Sequence, residues 1–488
     1  MKQALIYVLL TLGVLLLITT LIFHTYFSLD EPNILWAYRT GQAWSGYYYR
    51  FVQEGRPLYG LLQIGGIAWA KTFSGLKFLR VISVALTMAF CTLVFLFLKR
   101  NKLGAGFSLL FSILIFTLPG FSVFIGWAQQ YPHHLSSIAS FVSGICLVTV
   151  FGEYLDRPVL TGFRNYLMLF LALMLEEISL MNYQNMALAI LLPPFFMLLS
   201  HPHIPNRKRI IFILSVLITY LVFLGLYFEL FKWMLEKTHV QMIDRGAFGS
   251  DPIHKFIWFI YVLTEAAKLH LLLIKSDILA SVFSFCIVLV LIRDLLKKRF
   301  LDIFSLCLFC TGVFLPHLLI RESWAASRNF CLISVLMTFY LLIRSFELIP
   351  KPSIGLALCT GLPFIAMMCF NISEAWVKPQ ELDYKQLSVF VDQLPAPRKH
   401  KIEIEVVLAP DKIHETHSLL KCYRDEFNAS LFFPEWPVEP ALKILYNNRF
   451  PEIPALETDK NMVVTICPDG GFLKAPCDSI FHLNLDRE

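Results

Sequence analysis

The chain has 488 residues, of which 57% are hydrophobic and only 16% are charged. Apolar runs long enough to cross a bilayer recur along it, so the composition excludes an ordinary soluble protein and predicts a polytopic membrane protein. The formal net charge of +6 comes from short basic clusters between the apolar runs rather than from one basic surface, so nucleic acid is not expected as a partner.

The first apolar run, residues 5–26, is long enough to span a bilayer and lacks the small-residue cleavage site of a signal peptide, so we predict a retained helix. The basic cluster at 99–102 follows the next clear apolar run and marks the cytoplasm by the positive-inside rule. The N-terminus is therefore predicted to be cytoplasmic. The loop after the first span, residues 27–60, is predicted on the outer side and is called the first loop below.

Alternating apolar runs and basic clusters predict about eleven spans in an all-α membrane domain, residues 1–371. Residues 57–72 are apolar but short and interrupted by glycine and lysine, so they fit an interfacial or re-entrant helix better than a span. Neither an internal repeat nor the paired broken helices of transporters is recognisable. The predicted spans are 5–26, 81–98, 104–124, 136–154, 165–181, 186–200, 210–231, 278–294, 301–319, 330–346 and 354–371.

The tail, residues 372–488, is rich in charge and proline and is predicted to be a small α/β domain on the outer, extracytoplasmic side. Residues 401–408 and 462–467 have the pattern of strands, and 417–428 has the pattern of a helix. Most cysteines lie in apolar runs as small hydrophobes. Two cysteines of the tail could form a disulfide outside the cytoplasm, Cys467 and Cys477.

The first loop combines an acidic pair, Asp30 and Glu31, with arginine and aromatic side chains. A carboxylate can take a proton from a hydroxyl, aromatic faces can stack on sugar rings, and guanidinium groups match phosphate oxygens. The loop therefore predicts a site for sugars and phosphates, with the acidic pair as its catalytic candidates. The binding candidates from this loop are Tyr38, Trp44 and Arg56.

The same residues also have a purely structural interpretation. Ser28 and Glu31 have the spacing of a capping box, and Pro32 suits a first helical turn, so the acidic pair could simply start an interfacial helix at 32–43. Tyrosine and tryptophan are also common anchors at membrane interfaces. Both interpretations stay open at this point, because capping and catalysis do not exclude each other.

A second predicted outer loop, residues 127–136, contains the adjacent histidines His133 and His134. Histidines can bind a divalent metal, but neighbouring histidines on a helix or turn point in different directions, so no cofactor is assigned and a divalent metal is kept as the weaker alternative. We instead include both histidines among the substrate-binding candidates. Arg321 and Arg328, from the loop before the tenth predicted span, join the same set.

Two acids, Glu176 and Glu177, lie inside an apolar run near its predicted outer end. Carboxylates are costly within a membrane, so either at least one of them faces a wet cavity or the pair marks the membrane interface. Gln184 is expected on the same face as Glu177, which adds both residues to the binding candidates.

Taken together, these features resemble a known family. The N-terminal span, the acidic pair at the start of the first loop, two interfacial helices, a Gly55-Arg56-Pro57-Leu58 junction, about eleven spans and an outer tail are similar to the C-type (GT-C) membrane glycosyltransferases. Within that class the chain is similar to phage-type O-antigen glucosyltransferases, protein mannosyltransferases and lipid A aminoarabinose transferases. The topology resembles the class along the whole membrane part, and the motifs resemble it within residues 28–60.

The resemblance implies inverting transfer of a sugar from a polyprenyl-phosphate carrier to a glycan or lipid acceptor. The reaction would take place on the periplasmic face of a bacterial inner membrane. Asp30 would be the general base, and cations would stabilise the leaving phosphate. Arg80, at the outer end of the second predicted span, lies at the depth of such a phosphate. The other candidates for this contact are Arg321 or Arg328, and Arg56.

Two other classes of function are alternatives. A transporter or flippase for a lipid-linked glycan would also use outer arginines and buried carboxylates, and a structural or assembly subunit is the third alternative. The first-loop acidic pair with its interfacial helices favours transfer, and the lack of a recognisable repeat disfavours transport.

Overall fold

The structure, a computed structural model, is mainly helical. Two short π-helical segments (Ala43–Tyr48 and Ser373–Val377) and two 3₁₀ turns (Ala128–Gln130 and Leu188–Leu191) connect some of the helices. The residues that the structure describes are 13, 17–28, 30–156, 162–243, 249, 251–268, 277–321, 328–348, 350, 352–394, 402–407, 437–455, 458, 462–467 and 480–484. The α-helices are α1 (Glu31–Arg39), α2 (Tyr49–Gln53), α3 (Pro57–Ala70), α4 (Phe73–Arg100), α5 (Ala105–Phe116), α6 (Pro119–Gly126), α7 (Tyr131–Asp156), α8 (Phe163–Asn182), α9 (Gln184–Ala187), α10 (Leu192–Ser200), α11 (Asn206–Thr238), α12 (Pro252–Ala267), α13 (Asp277–Leu296), α14 (Phe300–Gly312), α15 (Leu315–Leu319), α16 (Cys331–Ser345), α17 (Ile354–Ile372), α18 (Lys378–Gln393) and α19 (Val438–Arg449).

Several of these helices are apolar and long enough to cross a membrane. Among the described residues, α4, α11, α17 and the helix at Ala128–Gly152 meet this condition, and the bent pair of α5 and α6 would make a fifth span. Shorter apolar helices lie at Gln184–Ser200, Phe300–Gly312 and Cys331–Ser345. The total of about eleven spans stays a prediction, and most of the first predicted span lies outside the described residues.

Prolines interrupt the predicted spans at 104–124 and 301–319. The span predicted at 104–124 is divided between α5 and α6, which are bent by 55° relative to each other, and Pro119 is the first residue of α6. In the span predicted at 301–319, helix α14 ends at Gly312, and Pro316 lies in the first turn of the next helix, α15. Proline lacks the N–H needed to continue a helix but fits its first turn, which explains both interruptions.

One end of the helix bundle is held by a buried ion network. Arg344 of α16 contacts Asp294 of α13 at 2.9 Å and also pairs with Asp302 of α14, while Arg209 of α11 pairs with the same Asp302. Asp294, Asp302 and Arg344 are at most 3% exposed. The basic clusters at these helix ends were used only to predict topology, and the buried acidic partners of Arg209 and Arg344 were not predicted.

The tail contains a three-stranded parallel sheet with the order β2-β1-β3. Strands β1 (Ile402–Val407) and β2 (Met462–Cys467) lie where strands were predicted, and β3 (Ile480–Asn484) was not predicted. The helix predicted at 417–428 and the cysteine at 477 lie outside the described residues. A separate α/β domain in the tail therefore stays a prediction.

The tail packs against the first loop. Leu387 of α18 and Leu442 of α19 belong to the same buried hydrophobic cluster as Ile34 and Leu35 of α1. Arg39 of α1 also donates a hydrogen bond to the side chain of Asn447 at 3.4 Å. The first loop and the described part of the tail thus share one hydrophobic core, although the sequence analysis divided the chain between them at residue 371.

Candidate functional site

Asp30 and Glu31 have different environments although they are adjacent. Asp30 immediately precedes α1, and its side chain is partly exposed and makes no capping hydrogen bond. Glu31 is buried, and its carboxylate accepts a hydrogen bond from the backbone N–H of Ser28 at 2.8 Å. This is one half of the capping box considered above, and it is made by Glu31 alone. The structural interpretation therefore accounts for Glu31 but not for Asp30.

Glu31 also forms a buried ion pair with Arg80. The carboxylate and guanidinium are 2.7 Å apart, and both side chains are fully buried. Arg80 donates further hydrogen bonds to the carbonyl oxygens of Gly126, at 3.0 Å, and Tyr26, at 3.2 Å, and lies 3.7 Å from the centre of the Tyr26 ring. Arg80 was predicted to contact a phosphate and Glu31 to act beside Asp30. In the structure they neutralise each other inside the protein instead.

The junction between α2 and α3 positions Arg56. Gly55 has a positive φ of 74°, and its carbonyl accepts hydrogen bonds from the Tyr227 hydroxyl at 2.7 Å and from Gln184 at 3.1 Å. Gln184 in turn accepts a hydrogen bond from Arg56 Nε at 2.9 Å, and the Arg56 guanidinium lies 4.9 Å from the centre of the Tyr183 ring. Gln184 is thus a support for Arg56, tied to α11 through Tyr227.

This junction makes a specific prediction for Gly55→Ala. A Cβ atom at residue 55 would overlap with the Tyr227 hydroxyl, in a backbone conformation that L side chains rarely adopt. We expect the substitution to lower stability by about 2 kcal/mol or more, measured as a fall in melting temperature in detergent. Gly41→Ala is the matched control, because Gly41 has a similar φ of 76° but nothing within 4 Å of its Cβ position. Equal effects of the two substitutions would contradict a role for the Tyr227 contact.

Aromatic rings and a histidine surround Arg56. The ring centres of His133 and Tyr183 are 3.6 Å apart, and Tyr59 of α3 lies 5.1 Å from His133 and 6.3 Å from Tyr183. Burial raises the pKa of the Tyr59 hydroxyl well above its ordinary value, the positive charge of Arg56 lowers it, and the carboxylate of Asp30 raises it. Asp30 and Arg56 therefore both act on the same tyrosine.

Arg328 brings a second guanidinium to this group. It lies 5.3 Å from the centre of the Trp127 ring, and its charge also lowers the pKa of the Tyr59 hydroxyl, although less than Arg56 does. The next residue, Asn329, accepts a hydrogen bond from Asn185 at 3.1 Å, which connects this segment to the turn after Tyr183. The carboxylate, the two guanidiniums and the rings come from five separate segments of the chain. We call this group the outer cluster: Asp30, Arg56, Tyr59, Trp127, His133, Tyr183 and Arg328.

The carboxylate of Glu54 makes Arg56 a permanent cation in the outer cluster. Desolvation lowers the pKa of its guanidinium, but Glu54, whose carboxylate lies 3.3 Å away, raises it, and the net direction is upward. A cation that is held in place by Gln184 and stays charged at every physiological pH can bind an anionic group without reorganising.

The other predicted residues have different surroundings. His134 points into the helix bundle, where its ring is 3.2 Å from the Thr87 hydroxyl. Trp44 is 56% exposed and packs on Tyr48, while Tyr38 packs against the core shared by the first loop and the tail. Arg321 is exposed. No group of three metal-ligating side chains occurs within the described residues.

Glu176 and Glu177 lie near the end of α8. Their carboxylate oxygens have no hydrogen-bond partner among the residues that the structure describes. The expectation that Glu177 and Gln184 share one helical face is wrong, because α8 ends at Asn182 and a new helix starts at Gln184. Gln184 instead accepts a hydrogen bond from Arg56 of the outer cluster.

Three aromatic members of the outer cluster were not among the residues predicted from the sequence. Tyr59 lies just after the Gly55-Arg56-Pro57-Leu58 junction, Tyr183 lies in a polar turn, and Trp127 starts the segment that carries His133. Each lies close in sequence to a predicted site residue, but anchoring at the membrane interface explained the aromatic residues equally well.

No protein family, no curated protein and no solved structure was found to match this chain.

Proposed function

We propose that this chain is an inverting membrane glycosyltransferase that moves a sugar from a polyprenyl-phosphate carrier to a cell-envelope acceptor, such as O-antigen, lipid A or another glycan. The observation that carries the proposal is the outer cluster, in which Arg56 lies against the Tyr183 ring, Arg328 lies against the Trp127 ring, and the partly exposed Asp30 carboxylate acts electrostatically on Tyr59. A base, two cations and several aromatic rings are the groups that transfer from a sugar phosphate requires.

In the proposed reaction, Asp30 removes the proton from an acceptor hydroxyl. The resulting oxygen attacks the anomeric carbon from the face opposite the phosphate, and a new glycosidic bond forms with inversion. The bond between the anomeric carbon and the phosphate oxygen breaks, and its electron pair leaves with the polyprenyl phosphate. Arg56 and Arg328 stabilise the charge that develops on this leaving group, and the aromatic rings provide stacking surfaces for sugars.

The proposal places the site on the periplasmic face of a bacterial inner membrane, with the tail on the same side. Its support is the predicted topology, in which the first, second and ninth-to-tenth-span loops are all outside. The outer cluster draws its members from those loops and from the turn containing Tyr183.

Removal of either guanidinium is expected to weaken donor binding. Arg328→Ala and Arg56→Ala should each raise the Kd for bare polyprenyl phosphate by about tenfold or more, because each removes charge-assisted contacts to the phosphate. Binding can be measured in nanodiscs with fluorescent polyprenyl phosphate. Lysine substitutions should restore only part of the affinity, because the forked geometry is lost. Arg321→Ala, at an exposed arginine outside the outer cluster, is the matched control and should bind normally. Unchanged affinity in Arg328→Ala and Arg56→Ala would remove both from the site.

A transporter or flippase of a lipid-linked glycan is the second candidate. One observation favours it, namely that the carboxylates of Glu176 and Glu177 in α8 have no hydrogen-bond partner among the described residues. Such groups inside a membrane commonly serve ion or substrate pathways. The two functions differ in chemistry, because a transferase breaks the sugar–phosphate bond and a flippase leaves it intact. Mass spectrometry of the lipid carrier after incubation with an acceptor would separate them.

A further inference from the structure

Three glutamine side chains lie buried beside the outer cluster. Gln63 of α3 is 2% exposed, and Gln129 and Gln130 in the 3₁₀ turn before α7 are each 4% exposed. One side-chain polar atom of each has no hydrogen-bond partner within the described part of the chain, namely Gln63 Oε1, Gln129 Nε2 and Gln130 Oε1. The indole N–H of Trp127, which is 3% exposed, also has no hydrogen-bond partner among the described residues. Four orphaned polar atoms thus come from one short segment and the helix next to it.

The backbone of this turn and the amide of Gln63 are held by hydrogen bonds. The backbone N–H of Ala128 donates to the Glu31 carboxylate at 2.6 Å, which ties the turn to the residue after Asp30. Gln63 Nε2 donates to the Gln129 carbonyl at 3.1 Å, and His133 Nδ1 lies 3.1 Å from the Gln130 carbonyl. Three hydrogen bonds therefore hold the turn, and one of them involves His133, a member of the outer cluster.

Orphaned buried polar atoms indicate what chemistry they would accept. A buried donor or acceptor without a partner destabilises a fold, so several of them on one turn and the helix bonded to it indicate a ligand that supplies the missing partners. An amide offers a donor and an acceptor without net charge, which complements hydroxyl groups. Ammonium or carboxylate groups would instead require a buried counter-charge, and the two fully buried charges that hydrogen-bond to this segment, Glu31 and Arg80, are already paired with each other.

We propose that Gln63, Gln129, Gln130 and Trp127 form a subsite for the hydroxyl groups of an uncharged hexosyl unit on the donor. The inference rests on the transferase function proposed above and adds a sugar class to it. The amides bind the hydroxyls, Arg56 and Arg328 bind the phosphate, and the anomeric carbon lies between the two groups, within reach of an acceptor activated by Asp30.

The test compares three ligands in nanodiscs: bare polyprenyl phosphate, the same carrier with a neutral hexose, and the same carrier with an amino sugar. The wild-type protein should bind the hexosyl carrier about tenfold more tightly than the bare carrier, because sugar hydroxyls satisfy the orphaned atoms. Gln129→Met and Gln130→Met should reduce this preference to nearly nothing while leaving the affinity for bare carrier unchanged. Gln42→Met, at an exposed glutamine, is the matched control and should keep the preference.

Melting curves separate this subsite from a purely structural role of the amides. Methionine has a similar length and removes an unpaired polar group, so Gln129→Met and Gln130→Met should melt at the wild-type temperature or above it. Lower melting temperatures, equal binding of the amino-sugar carrier, or a retained hexose preference in both variants would overturn the subsite. Failure of the wild-type protein to bind even bare polyprenyl phosphate would instead overturn the proposed function, and with it the inference.

Discussion

The Asp30→Asn variant is expected to fold normally but to lose sugar transfer by a factor of roughly 100 or more, in line with what positioned acid–base groups contribute. Asparagine is similar in shape to aspartate but cannot take a proton from an acceptor hydroxyl. Because the Asp30 side chain makes no capping hydrogen bond to α1, its replacement should cost little stability. The assay is transfer from a polyprenyl-phosphate sugar in detergent or nanodiscs, with a melting curve for each variant.

The matched control is Asp251→Asn. Asp251 caps α12, and its side chain accepts a hydrogen bond from the backbone N–H of His254 at 2.9 Å. Asparagine caps helices as well as aspartate does, so this variant should keep both its melting temperature and its transfer rate. Near-normal turnover by Asp30→Asn would exclude Asp30 as the base and would bring the transporter hypothesis forward.

The parts of the fold that follow from local signals could be predicted from the sequence. Pro32 predicted a helix that begins close to it, and the apolar run at 57–72 predicted a second short helix; α1 and α3 lie at these positions. Long apolar runs predicted membrane helices, and four long ones occur among the described residues. Helix breaks inside apolar runs were missed, because a proline in such a run does not always break the helix: Pro119 starts a new helix, whereas Pro363 lies inside α17.

Contacts between distant segments could not be predicted in the same way. The position of Arg80 along its helix follows from the helical rise, but its partner Glu31 is 49 residues away, and the pairing depends on how the helices pack. The packing of α19 on α1 likewise joins segments that are far apart in the sequence. For the candidate site, the sequence identified Asp30, Arg56, His133 and Arg328 by residue type, whereas only the structure shows which aromatic rings lie against Arg56, His133 and Arg328.

Breaking the ion pair between Glu31 and Arg80 is expected to have the largest effect on stability. Removing one partner of a fully buried pair leaves an uncompensated charge, which typically costs about 3–5 kcal/mol. Glu31→Gln and Arg80→Met should therefore each lower the melting temperature strongly. This expectation replaces the mild effect that a supporting role for Glu31 beside Asp30 would have predicted.

The double variant distinguishes the charge from the rest of the contact. Glu31→Gln with Arg80→Met leaves no unpaired charge, so it should melt above either single variant. Recovery should be incomplete, because the carboxylate of Glu31 also accepts hydrogen bonds from the backbone N–H groups of Ser28 and Ala128, and a glutamine has only one oxygen to offer.

An exposed ion pair of the same length provides the control. Lys232 and Glu229 also lie 2.7 Å apart, but their side chains are 64% and 71% exposed, and such pairs contribute about 1 kcal/mol or less. Because Glu31 fixes the turn at Ala128, its loss should reduce transfer and stability together, whereas Asp30→Asn should reduce transfer alone. If Glu31→Gln melted like Glu229→Gln, the pair would not hold the site in place, and the division of roles between these two adjacent acids would have to be abandoned.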